Sequence, residues 1–171
     1  MVDFQETLFE SDPIPIPKHH QFRKAWRWPH AIESFFKLRT EDKYSLHVCC
    51  GKSRLGNVRL DLDPNSNRTQ EGDMRKIPFP NDIFDVVFGD WPWKLNYYQR
   101  FRPFYEMIRV CKVGGQIIVN AMWIPHSEAA ILKEIFVRCD SIFGQASVIL
   151  VYEKITNFYD QKIDTKILEV E

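Results

Sequence analysis

The sequence predicts an α/β domain, a mostly parallel sheet covered by helices on both faces. Three observations carry this. Short apolar runs alternate with stretches of helical periodicity. The runs are bounded by glycine, proline, asparagine and aspartate, the residues that punctuate turns. At 171 residues and 20.3 kDa the chain is long enough to bury one real core.

Residues 1–17 read as an extended lead-in. Pro13, Pro15 and Pro17 alternate with Ile14 and Ile16, which removes backbone donors and forbids helix. From Phe22 to Leu38 the chain is rich in aromatic and basic residues. Pro29 suits a first helical turn there, and Ala31, Phe35, Phe36 and Leu38 supply the apolar face. After the charged break Thr40–Lys43, strands are expected at Leu46–Cys49, Val58–Leu62 and Phe84–Gly89. A helix is expected over Tyr98–Val110, with Phe101, Phe104, Tyr105 and Ile108 on one face, stopped by Lys112-Val113-Gly114-Gly115. Gln116–Asn120 reads as a strand, Ser127–Val137 as a helix and Ser147–Lys154 as a final strand, with Ser141-Ile142-Phe143 pairing with it. The organisation this implies is an extension over 1–43, a core over 44–155 and a tail over 156–171. Ligands of such sheets sit at the carboxyl ends of the strands.

Composition narrows the function. An apolar share of 44% and a charged share of 27% are those of a globular protein, and no run of about twenty apolar residues would span a bilayer. The acidic start Met1–Glu6 lacks the basic, then apolar, pattern of a signal peptide, so the expectation is cytoplasmic, with no membrane partner. Cys49, Cys50, Cys111 and Cys139 have no C-x-x-C or metal-ligand spacing, nor do His19, His20, His30 and His126 provide one; reduced thiols and no metal are expected. Net charge is zero, which excludes a uniformly basic nucleic-acid surface. Two segments are locally basic, Lys18–Arg39 and Lys94–Lys112, and they keep a phosphate-bearing substrate in view.

The chemistry-bearing residues fall where strands end. Leu46-His47-Val48-Cys49-Cys50-Gly51-Lys52-Ser53 is a strand followed by small residues, which allows a backbone to approach a ligand closely. Its Gly51-Lys52-Ser53 is not a P-loop, because Leu46 stands where that motif needs glycine. Asp61 ends the next strand, where a carboxylate can accept both hydroxyls of a ribose; Asp63, before Pro64, suits a turn. Then come Gly72-Asp73-Met74-Arg75-Lys76-Ile77-Pro78-Phe79 and, after the next strand, Asp90-Trp91-Pro92-Trp93.

In order and spacing these motifs, over residues 45–154, resemble the class I S-adenosylmethionine-dependent methyltransferases in their compact form, which lacks the helix after the first strand. The resemblance implies a Rossmann-like, mostly parallel sheet with helices on both faces and a C-terminal antiparallel strand. It implies S-adenosyl-L-methionine as cofactor, held by Cys49, Cys50, Gly51, Asp61, Asp73, Met74 and Asp90. Asp61 would take the ribose, Asp73 the adenine amino group and the Met74 amide a ring nitrogen. The family has an acid where His47 stands, and glycines at Cys49 and Ser53; His47 is read as a structural substitute for that acid.

Asp90-Trp91-Pro92-Trp93 resembles the Asp/Asn-Pro-Pro-aromatic loop of amino-directed members. There a side-chain oxygen and a backbone carbonyl hold an exocyclic amino group for in-line attack, and an aromatic ring stacks on the base. The resemblance gives these catalytic roles to Asp90, to the Trp91 carbonyl with Pro92 behind it, and to the Trp93 ring. Trp91 replaces the first proline of the pattern. The expected substrate is a nucleobase amino group in DNA or RNA. No separate target-recognition domain is expected to fit this length, so target choice would need a partner subunit, a structured RNA or the N-terminal segment. The alternatives are a small-molecule or protein methyltransferase of the same fold, and a non-catalytic methyltransferase-like binding subunit.

Overall fold

The computed structural model describes residues 30–64, 69–92, 100–138 and 147–157. Their elements are α1 (His30–Thr40), β1 (Ser45–Val48), β2 (Val58–Asp61), β3 (Gln70–Glu71), β4 (Phe84–Gly89), α2 (Phe101–Val110), β5 (Cys111–Ala121), β6 (Ala130–Arg138) and β7 (Ser147–Lys154). The strands form one seven-stranded sheet in the order β3-β2-β1-β4-β5-β7-β6. β7 alone runs against its neighbours, inserted antiparallel between β5 and β6. The predicted fold class is therefore observed, including its antiparallel C-terminal strand.

The two faces of the sheet have separate cores, because successive side chains of a strand point to opposite sides. One face carries Leu46, Val48, Val87, Ile117, Val119 and Leu150, and α2 covers it with Phe104, Met107 and Ile108. On the other face Val86, Phe88, Ile118, Ile149 and Val151 lie under α1. Phe36 of α1 stacks on Phe88 at 4.7 Å and is fully buried, which contributes roughly 2–3 kcal/mol. Arg39, one turn on, ties the same helix to β6 through a two-pronged pair with Glu134 at 2.6 and 2.7 Å.

Three features depart from the sequence reading. Ser127–Val137 is not a helix. Ala130–Arg138 is a strand that pairs with β7 along its length, and the β-branched Ile131, Ile135 and Val137 suit the pleat better than a helical turn. The glycine stop after α2 does not separate helix from strand. Helix gives way to strand at Cys111, and a register shift opposite Phe84–Val86 throws out residues 112–115. Gly114 has φ +79°, and a Cβ on Gly115 would stand 2.9 Å from the Asp85 carbonyl oxygen, so both glycines are needed there. Finally, β3 has only the exposed pair Gln70-Glu71, which gives no apolar signal in the sequence.

Between β1 and β2, residues 49–57 form no helix, as the compact pattern implies. The register within β6 also shifts between Leu132 and Glu134. A buried cation fastens α2 to the sheet: the Lys154 ammonium donates to Asp82 at 2.6 Å and to the Cys111 carbonyl at 2.8 Å. It thereby satisfies a carbonyl at the negative end of the helix. Trp93, the segments 1–29 and 141–144 and the tail beyond 157 fall outside the described residues, as do Tyr98 and Gln99 at the start of the expected helix. Among the described residues no helix is long and apolar enough to cross a membrane.

Candidate active site

Strand register brings the predicted residues to one edge. Val48 of β1 is level with Leu60 of β2 and Gly89 of β4, and Gly89 is level with Val119 of β5. Asp61, Cys49 and Asp90 follow these positions, so they stand side by side at the carboxyl ends of three adjacent parallel strands. Gly89 makes this possible. A Cβ there would overlap the Val48 carbonyl oxygen, so only glycine lets β4 pass β1 at that point. The sequence reading did not single out Gly89; a glycine ending a run of buried apolar residues was the available signal.

The turn after β1 is tightly wound. Cys49 and Gly51 both lie in the left-handed region, with φ of +55° and +52°. Glycine adopts this freely, whereas it costs Cys49 about 1 kcal/mol. Cys49 therefore occupies the backbone state of the glycine that the resemblance expects. Its thiol lies 3.1 Å from the Met74 sulfur, which joins the first motif to the third. Cys50 turns inward instead: it is buried, its amide donates to the Leu60 carbonyl at 3.2 Å, and burial pushes its thiol up to about 11. It is a packing thiol. Cys50 and Cys111 are free thiols, and no group of three metal-ligating side chains occurs among the described residues.

Asp61 and Asp73, the two acids assigned to the cofactor, differ in what they have left to offer. One Asp61 oxygen accepts the Gly51 amide at 2.8 Å, and the other accepts the Asp63 amide at 3.0 Å. A carboxylate has about four acceptor sites, so roughly two remain, which fits a ribose diol. Asp73 accepts the Arg75 amide at 2.8 Å, Arg75 Nε at 3.0 and 3.1 Å, and Arg75 Nη2 at 2.6 Å. These are three N–H groups, the Nε hydrogen being shared between both oxygens, and they take most of its acceptor sites. Burial raises the Asp73 carboxyl, but the hydrogen bonds and charge of Arg75 outweigh this and hold it below its ordinary range. An adenine amino group would have to displace Arg75. The donor set thus fits the ribose end of S-adenosylmethionine directly and the adenine end only after Arg75 moves.

The loop below Asp73 is held by a second pair. Arg109 donates to the carbonyls of Phe79 at 2.8 Å and Ile77 at 2.7 Å and binds Glu106, which accepts the Ile77 amide at 2.7 Å. Arg109 and Glu106 therefore bind Ile77-Pro78-Phe79 to α2. Arg109 belongs to the basic segment 94–112, and its charge is spent internally. Lys112 of the same segment is likewise paired, with Asp85 at 2.7 Å.

At the end of β4, Asp90 is half-buried and Trp91 is 1% exposed, within the same core cluster as Met74. Only its backbone remains for chemistry, in keeping with a carbonyl role. Its ring lies 5.9 Å from that of Trp123, and both indole N–H groups are buried without an acceptor among the described residues. Pro92 is half-buried. Beneath the site His47 is wholly buried and stacks on Phe88 at 4.4 Å; desolvation lowers its pKa to about 3. It is neutral and structural, not an acid or base.

No protein-family model and no curated protein matches the sequence. Solved structures do match the fold. TrmN from Thermus thermophilus aligns with a TM-score of 0.59 at 17% identity, over 78% of this chain and 52% of TrmN, so the chain spans about half of that protein. The [4+2]-cyclase SpnF aligns at 0.55 with 13% identity, over 78% of this chain and 84% of SpnF. N-methyltransferase NodS from Bradyrhizobium japonicum WM9, in complex with S-adenosyl-L-homocysteine, aligns at 0.54 with 10% identity, over 88% of this chain and 95% of NodS. The fold is that of the Rossmann-like methyltransferases. SpnF, a cyclase of similar fold, illustrates that chemistry must be argued from the site.

Proposed function

We propose that the chain is an S-adenosylmethionine-dependent methyltransferase that acts on an exocyclic amino group of a nucleobase in DNA or RNA. One observation carries this reading: Asp90 follows β4 beside the β1 turn and Asp61, with Trp91 anchored in the core behind it. When bound, the cofactor supplies a methyl group made electrophilic by its sulfonium. The chain does the rest. Asp61 and the Gly51 turn hold the ribose end. Asp90 and the Trp91 carbonyl accept the two amino hydrogens, which aims the nitrogen lone pair and stabilises the positive charge that develops on nitrogen. Trp93 offers the stacking ring. Burial of Trp91 gives the turn the stiffness that the missing proline would have supplied.

Asp90→Ala tests the assignment. Methylation of nucleic acid should fall at least about a hundredfold, the scale of losing one oriented polar group, while S-adenosylhomocysteine affinity by calorimetry stays within a few-fold. Unaltered turnover would sink the amino-clamp role.

A second reading, a non-catalytic methyltransferase-like subunit, draws support from the Asp73–Arg75 pair, because it fills the adenine acceptor. Calorimetry with S-adenosylmethionine separates the two: no binding at millimolar cofactor favours the subunit.

A further inference from the structure

We propose a separate anion site beside the catalytic loop, in which Arg102, Lys76 and Arg75 take a phosphate group of the substrate; this rests on the nucleobase substrate proposed above. The site lies between the turn at residues 73–76 and the first turn of α2, joined where Arg102 Nε donates to the Arg75 carbonyl at 3.1 Å.

Three observations point to an anion. The first is unspent charge. Arg39, Arg109, Lys112 and Lys154 are each matched by a carboxylate: Glu134, Glu106, Asp85 and Asp82. Arg102 and Lys76 are exposed and form no ion pair among the described residues, and Asp73, on which the charge of Arg102 acts, is taken by Arg75. The second is an orphan donor. The Arg75 side chain is only 9% exposed. Its Nε and Nη2 face Asp73, while Nη1 is buried with no acceptor among the described residues. A phosphate oxygen drawn in by Arg102 would supply that acceptor after a small side-chain shift. The third is the helix itself: the first turn of α2 holds no acid, and Arg102 there places positive charge at the positive end of the helix dipole, an arrangement that an anion relieves.

The position suits a nucleotide. Met74, next to Arg75, meets Cys49 at 3.1 Å, and Cys49 and Asp90 follow the paired Val48 and Gly89, so the anion site and the amino clamp lie on the same rim. A base offered to Asp90 would bring its phosphate within reach of Arg102. Guanidinium groups suit phosphate because their paired N–H groups match its oxygens.

The phosphate could belong to a nucleic-acid backbone or to a free phosphorylated metabolite, and two probes distinguish these. One is a mixed-sequence single-stranded RNA of about twelve nucleotides, about the span of one single-strand groove. The other is uridine 5′-monophosphate. Each is titrated into the intact chain and into the Lys76→Gln/Arg102→Gln double variant, with Lys43→Gln, at the opposite end of β1, as control. The double variant should bind the responsive probe about tenfold more weakly. For RNA its salt dependence should fall by about one to two in log–log slope. Its S-adenosylhomocysteine affinity should stay within twofold. Loss with RNA alone assigns a backbone phosphate, and loss with the monophosphate assigns a small phosphorylated substrate. Equal binding of both probes by variant and wild type, or binding of neither by wild type, overturns the site. Failure of wild type to bind S-adenosylhomocysteine rejects the enzyme reading and is read separately.

Discussion

Asp61 and Asp73 are both acids near the carboxyl ends of neighbouring strands, and the resemblance gives each a part of the same cofactor. Their surroundings differ. Asp61 orders two backbone amides and keeps about half of its acceptor sites, so its corner is formed and open. Asp73 is held through most of its acceptor sites by one arginine two residues away, so its corner is formed and occupied. A motif locates a carboxylate; it does not reveal who already holds it.

Four experiments break or sharpen that contrast. The largest effect should come from Gly89→Ala, which forces β4 away from β1 and disturbs both corners together. Chemical denaturation should show a loss of about 3 kcal/mol or more, and a loss below ~1 kcal/mol would mean that the strands yield easily. Asp61→Ala should cost about 2 kcal/mol by the same measurement, because the Gly51 and Asp63 amides lose their acceptor. It should also weaken S-adenosylhomocysteine binding at least tenfold; unchanged affinity would remove Asp61 from the ribose.

The third concerns the floor that both corners share. His47 has its folded-state pKa lowered by burial from 6.5 to about 3, so the unfolded chain binds its proton first. Stability from this group is complete above pH 6.5 and is lost progressively as pH falls toward 3. From pH 7.5 to 5.5 denaturation should reveal a decline of about 1 kcal/mol that His47→Gln abolishes. The carboxylates whose pKa is lowered, Asp73, Asp85 and Glu134, act below this window. A slope that persists in the variant would assign it elsewhere. The smallest effect is the sharpest for the comparison: Arg75→Gln should free Asp73 and tighten S-adenosylhomocysteine about fivefold, about 1 kcal/mol. Weaker binding would mean that adenine does not use Asp73.

Much of this was legible. The order of strand ends, the small-residue turn after β1, the acid ending β2 and the loop after β4 could be read because each is local. The missing β1–β2 helix followed from the few residues that separate Ser53 from the strand at Val58. What escaped was non-local or ambiguous. The run Ala130–Val137 has apolar residues at both helical and strand spacings, and only its pairing with β7 decides between them. Lys154 meets Asp82 and Arg39 meets Glu134 across 72 and 95 residues, separations at which sequence offers no pairing signal. The basic segment near α2 looked like one surface, yet Arg109 and Lys112 are spent on Glu106 and Asp85 while Arg102 is not.

The register shift in β6 has a consequence for how the sheet ends. β6 is the last strand, and Ile131, Ile135, Phe136 and Val137 are exposed along it, a composition that invites a stranger's strand to add on. The irregularity between Leu132 and Glu134 sets the charged Lys133 mid-strand, and Lys133 is tied to Glu153 at 3.3 Å. A template with a skipped rung and a charge at its centre cannot be copied in register over its full length. Among the described residues, the border of the sheet is thus guarded against strand addition by a defect in its register.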